Sequence, residues 1–140
     1  MKTLALLSLF FLILVGCGGQ NRTVADGKSA ATSNDTVRIA NDELQYEVII
    51  IDPGFNTWLT TRARPRNFYT QSYMETRNRV WVNEWNNRSR IPSGRNLFDS
   101  PINYDSTVDY GYEVNYLLFN YLTYFQLKNN IRLGGFEPRI

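Results

Sequence analysis

Glu43-Leu44-Gln45-Tyr46-Glu47-Val48-Ile49-Ile50-Ile51-Asp52-Pro53-Gly54 is the stretch on which the fold turns. Tyr46, Val48 and Ile50 alternate with polar positions at first, and then the run becomes apolar on both faces, the pattern of a strand buried in a sheet. Pro53 has no N–H to extend a ladder and Gly54 admits a positive φ, so the strand ends at Asp52. A strand needs neighbours. The sequence offers three, Thr36 to Ala40, Val80-Trp81-Val82 and Ile131-Arg132-Leu133, and nothing local chooses among them.

Downstream the period changes from two to that of a helix. Phe55 to Thr61, with Trp58 and Leu59, reads as a short helix. After the break at Arg64-Pro65-Arg66, Asn67 is a candidate cap for a helix from about Phe68 to Arg88. At 100° per residue Tyr69, Tyr73, Met74, Val80, Trp81 and Trp85 share one arc, and Glu84 lies within it, four residues before Arg88. Val80-Trp81-Val82 also has the β-branched and aromatic character of a strand, a competing local reading. A loop rich in turn formers runs from Ile91 to Asp105. Asp105 or Ser106 then opens a last helix, with Asp109 in the third position of a capping box, ending near Asn129 or Asn130. Val114, Leu117, Leu118, Tyr121, Leu122 and Phe125 form its core stripe, and Tyr112, Tyr116 and Phe119 cover much of the other side. A helix apolar nearly all round is expected at the centre of the fold. The expected class is α+β, a mostly helical single domain with a small sheet around residues 45–51.

Upstream of the domain the chain carries an address. Lys2 and the twelve residues Leu4 to Val15 form the charged and apolar regions of an export signal, too short for the ~20 residues that span a bilayer. Gly16-Cys17 follows, and the single cysteine stands where bacterial lipidation requires it. Residues 1–16 therefore read as a lipoprotein signal peptide, Cys17 as the lipid attachment point, and 17–36 as a lipidated N-terminus and polar tether. A flexible tether of this length reaches roughly 25 Å from the bilayer. Residues 37–140 are left for one globular domain with one core. One cysteine also means no disulfide. Gly18, rather than an acid, follows Cys17 and favours the outer membrane. The absence of an acidic run after it favours the periplasmic face.

Composition excludes more than it assigns. The chain has no histidine, so Ser-His-Asp and Cys-His nucleophiles and His-ligated zinc are unavailable. No phosphate-cradling glycine motif occurs; neither a cofactor nor a metal is expected. The formal charge of +2 falls to +1 once Lys2 leaves with the leader, and export disfavours a nucleic-acid partner. Between positions 62 and 95, Arg62, Arg64, Arg66, Arg77, Arg79, Arg88, Arg90 and Arg95 face only Glu75 and Glu84. That local excess suits an anionic partner such as lipid headgroups, or else is a solvated face with internal pairs. Asp109, Glu113, Tyr116 and Asn120 share a polar strip on the last helix, and with Asp52 and Glu84 they are candidates for one polar pocket. Trp58, Trp81 and Trp85 are the candidate aromatic binding surface.

Three segments resemble the signature stretches of a known group: Tyr46 to Phe55 with Trp58-Leu59, Asn78 to Asn86, and Tyr110 to Leu118. They are similar to a domain of unknown function found in small Gram-negative lipoproteins, a match that covers most of Gln45 to Lys128. The resemblance implies domain limits and a lipoprotein class, with no activity, ligand or fold. The expectation is a membrane-anchored, non-catalytic periplasmic module of binding or envelope-structural type, held by acyl chains and meeting a protein or envelope glycan. The alternative is a periplasmic glycan hydrolase working through carboxylates.

Overall fold

The structure, a computed structural model, describes residues 36–92 and 97–140. The expected leader at residues 1–16, Cys17 and the expected tether as far as Asp35 lie outside the described residues. Two strands, β1 (Thr36–Asn41) and β2 (Tyr46–Ile51), precede three helices, α1 (Phe55–Thr61), α2 (Gln71–Ser89) and α3 (Gly111–Asn129). The domain is therefore α+β, mostly helical, with a small antiparallel sheet.

Of the three candidate neighbours for β2, the first is the one used. β1 pairs with it antiparallel, Thr36 opposite Ile51 and Asn41 opposite Tyr46. Val80-Trp81-Val82 lies inside α2 and Ile131-Arg132-Leu133 in the irregular tail, which corrects both as strand candidates. A four-residue turn makes the near pairing inexpensive: Leu44 N–H donates to Asn41 Oδ1 at 3.2 Å and Gln45 adopts φ 51°. Val37, Ile39, Tyr46 and Ile50 point inward, while Ile49 and Ile51 face out.

α2 buries Met74, Asn78, Trp81, Val82, Trp85 and Ser89, a stripe at helical spacing. Its cap is Thr70, not Asn67: Thr70 is extended and its hydroxyl accepts from Tyr73 N–H at 3.2 Å. Asn67 adopts φ 69° and gives its N–H to Tyr112 Oη at 2.6 Å, which is incompatible with the extended backbone of a cap. α3 also starts later than expected. Gly111 at φ 79° stops helical geometry from running back to Ser106, so the capping box is not formed. Asp105 instead closes a turn on Thr107, and Asp109 accepts from Gly111 N–H at 2.9 Å.

α3 is the centre of the molecule, with Val114 to Asn120 and Leu122 to Gln126 buried. Trp81 stacks on Phe119 at 5.4 Å, Trp85 packs on Phe125 at 4.5 Å and Phe55 meets Tyr121 edge-on at 5.4 Å. Each such buried ring contributes about 1.5–3 kcal/mol through its area alone. The tail after α3 lies along α2, held where Leu133 N–H meets Gln126 Oε1 at 2.7 Å, Arg88 meets the Arg132 carbonyl at 2.7 Å and Trp81 Nε1 meets the Phe136 carbonyl at 3.3 Å.

Candidate functional site

The four acids expected to share a pocket are dispersed, each with its own partner. Asp52 Oδ1 accepts from Lys128 Nζ at 2.7 Å and from the Tyr124 hydroxyl at 3.0 Å. That carboxylate holds the Lys128 ammonium above its usual range. Glu84 pairs with Arg88 one turn on, Nε donating at 2.8 Å, as the i,i+4 spacing indicated. Both oxygens of Glu113 take the fork of Arg66, whose guanidinium also lies 4.5 Å from the Tyr116 ring centre. Asp109 accepts from Gln71 Nε2 at 2.7 Å. Glu84 and Asp109 line separate recesses, and neither of these takes in Asp52 or Glu113.

The aromatic candidates are occupied too. Trp81, Trp85, Tyr116 and Asn120 are buried, and Trp58 is half-buried against Phe55 and Tyr124. The Tyr116 hydroxyl donates to the Arg64 carbonyl at 2.8 Å and Asn120 Nδ2 to the Tyr116 carbonyl at 2.8 Å. Tyr116 also edges a recess beside Pro65 and Arg66, and Trp85 edges one between β2 and residues 99–103.

The solvent-facing polar surface is instead a groove between α2 and the segment Tyr104 to Asp109. One end, of about 500 Å³, is lined by Arg79, Asn83, Glu84, Asn86, Tyr104 and Ser106 together with Val80, Val82 and Gly134. The other, of about 270 Å³, shares Arg79, Tyr104 and Ser106 and adds Gln71, Glu75, Thr107, Val108 and Asp109. From Gln71 to Asn86 the groove follows α2 for roughly 22 Å. Glu84 and Asp109 thus lie at opposite ends of one groove rather than together. Arg79 is exposed and has no ion pair among the described residues.

Beneath the groove lies a polar network that reading by residue type missed. Asn78 and Asn115 are fully buried, and Asn78 Nδ2 donates to the Asn115 backbone and side-chain oxygens at 3.0 and 3.1 Å. The Tyr104 hydroxyl donates to Asn115 Oδ1 at 2.7 Å, and Asn115 Nδ2 reaches Glu75 Oε1 at 3.3 Å. Gln71 Nε2 ties Glu75 to Asp109, at 2.7 Å from each. Burial, then the Glu75 charge, pushes Tyr104 up to about 12. The available signal was Asn78 itself, four residues after Met74 and three before Trp81, an amide inside an apolar stripe.

Among the described residues no helix is long and apolar enough to cross a membrane, and no group of three histidines, cysteines or acids could hold a metal ion. Hydrogen-bonding side chains spread along an open groove suit recognition of a polar ligand by many contacts. No curated protein and no solved structure matches the chain. A family model matches residues 4–138, so the chain belongs to a family of unknown function (DUF6146).

Proposed function

We propose that the chain is a membrane-anchored lipoprotein whose domain is a non-catalytic binding module on the periplasmic side of the outer membrane. The anchor rests on Gly16-Cys17 behind a short apolar run. The binding surface is the groove along α2, whose amides, hydroxyls and single free guanidinium match a hydroxyl-rich partner such as an envelope glycan. One observation carries the non-catalytic reading: the acids are already engaged. Asp52, Glu84 and Glu113 are paired with cations. Glu75 and Asp109 approach each other with the amide of Gln71 between them, where a glycosidic oxygen would have to sit.

The anchor is tested by expressing Cys17→Ala in an exporting host; it should move from the membrane pellet to the soluble periplasm, and unchanged pelleting would count against acylation. The groove is tested by sedimentation with purified peptidoglycan. Arg79→Ala with Asn83→Ala should lower the bound fraction several-fold at unchanged thermal stability. Turnover of peptidoglycan fragments by the parent protein, lost in Glu84→Gln or Glu113→Gln, would replace this reading with the hydrolase.

A further inference from the structure

A second recess lies where the tail crosses the first half of α2. It has a volume of about 450 Å³ and is lined by Tyr73, Arg77, Arg132, Phe136, Glu137 and Arg139, with Gly135 at its edge. Three guanidiniums here face one carboxylate. Arg77 is fixed between two rings, 3.3 Å from the Tyr73 centre and 4.7 Å from that of Phe136, and its Nη1 donates to the Tyr73 carbonyl at 3.2 Å. Arg132 and Arg139 approach Glu137 only at 3.5 and 3.8 Å. Elsewhere in the molecule the cations of Arg38, Arg88 and Lys128 close on their acids at hydrogen-bond distance, 2.7 Å in each case. In this recess the Arg132 and Arg139 forks have no hydrogen-bonded acceptor among the described residues.

The placement is built, not incidental. Leu133 is fully buried, Arg88 and Trp81 hold the carbonyls of Arg132 and Phe136, and these anchors set the two tail arginines beside Arg77. A planar fork with unused N–H groups matches the oxygens of a phosphate, and the rings of Tyr73 and Phe136 hold Arg77 in place without neutralising its charge.

We infer that this recess binds the phosphate group of an anionic lipid headgroup and so lays the domain against the bilayer. The identification of the source as a lipid rests on the membrane-anchored reading above; the anion chemistry does not. Of the arginines that made residues 62–95 basic, Arg66 and Arg88 are consumed by Glu113 and Glu84. The lipid-facing set combines Arg77 with two arginines from outside that stretch.

The test is partition of the full chain onto phosphatidylcholine vesicles with and without one-third phosphatidylglycerol. The apolar N-terminal segment contributes to both, so the ratio reports the headgroup. The parent should prefer the anionic vesicles, the more so at low salt. Arg132→Gln with Arg139→Gln should reduce that preference about tenfold or more. Arg90→Gln, at the exposed end of α2, should leave it unchanged. Equal partition of parent and double variant, with circular dichroism showing both folded, overturns the inference. Inorganic phosphate alone is the second arm: saturable binding at micromolar concentration without vesicle preference would assign the recess to free phosphate and overturn the lipid. Palmitate labelling of Cys17 is read separately, so loss of the anchor with retained vesicle preference would leave this site standing.

Discussion

The Asn78–Asn115 pair shows why two amides sit in a core whose other members are rings and aliphatics. Asn115 Oδ1 accepts from both Asn78 and Tyr104, so its removal takes the acceptor from the Tyr104 hydroxyl and leaves Asn78 Nδ2 only the Asn115 backbone carbonyl, while the Asn115 amide's own bonds to Glu75 and the Gly111 carbonyl are lost as well. Each buried unsatisfied group costs about 1–3 kcal/mol, and Asn115→Ala should therefore destabilise the domain by about 2–4 kcal/mol in urea unfolding. Asn103→Ala, at an exposed position, should stay within about 0.5 kcal/mol. Gly134 makes a second residue-scale case, because two separate penalties converge on it. It adopts φ 89°, and a Cβ there would stand 2.8 Å from Val80 Cγ1. Gly134→Ala should cost about 2–4 kcal/mol from strain and overlap together. Adding Val80→Ala should recover the overlap but not the strain, which a double-mutant cycle resolves.

Elements differ in how far their own residues decide them. One side chain ties the hairpin's turn to the start of α3 by hydrogen bonds: Asn41 donates to the carbonyl of Tyr110, the residue before the helix, at 3.1 Å, while its Oδ1 accepts from Leu44 N–H in the turn. Asn41→Ala removes both bonds and should lower stability by about 1–2 kcal/mol, with amide exchange rising first in residues 36–51. Helices α2 and α3 were legible because apolar residues recur at helical spacing over five turns. That recurrence also outweighed the strand character of Val80-Trp81-Val82. The caps were less legible, since Asn67 and Thr70 are both good capping types and only Tyr112, from a distant helix, takes the Asn67 N–H. Among the acids, Glu84 found the partner that its spacing named. Asp52 and Glu113 found theirs 76 and 47 residues away, beyond any local pattern. The groove and the basic recess were hidden for the same reason: each is made by chain segments that meet only once the tail and the 104–109 segment have packed on α2.

At the scale of the whole molecule the core is unusual in its phenols, and this makes its stability depend on pH from the alkaline side. Burial raises the ionisation of Tyr46, Tyr116, Tyr121 and Tyr124 above the ordinary tyrosine range, and that of Tyr104 to about 12. Asp52 raises Lys128 in the same direction. For a group raised on folding, the folded chain keeps its proton while the unfolded chain releases it. The stabilisation is therefore complete below the unfolded value, near 10 for tyrosine, and declines as pH rises from there toward the folded value. Linkage gives a slope of about 1.4 kcal/mol per pH unit for each proton so retained. The most strongly shifted of these tyrosines acting together remove several kcal/mol over about two units, comparable with the lower part of the 5–15 kcal/mol typical of a domain. The domain should hold its helical circular dichroism to about pH 10 and then unfold cooperatively, with phenolate absorbance of the buried rings rising in the same transition. A smooth tyrosine titration centred near 10 that leaves the dichroism unchanged would mean that solvent reaches these rings in the folded state, and the close packing around α3 would have to be redrawn.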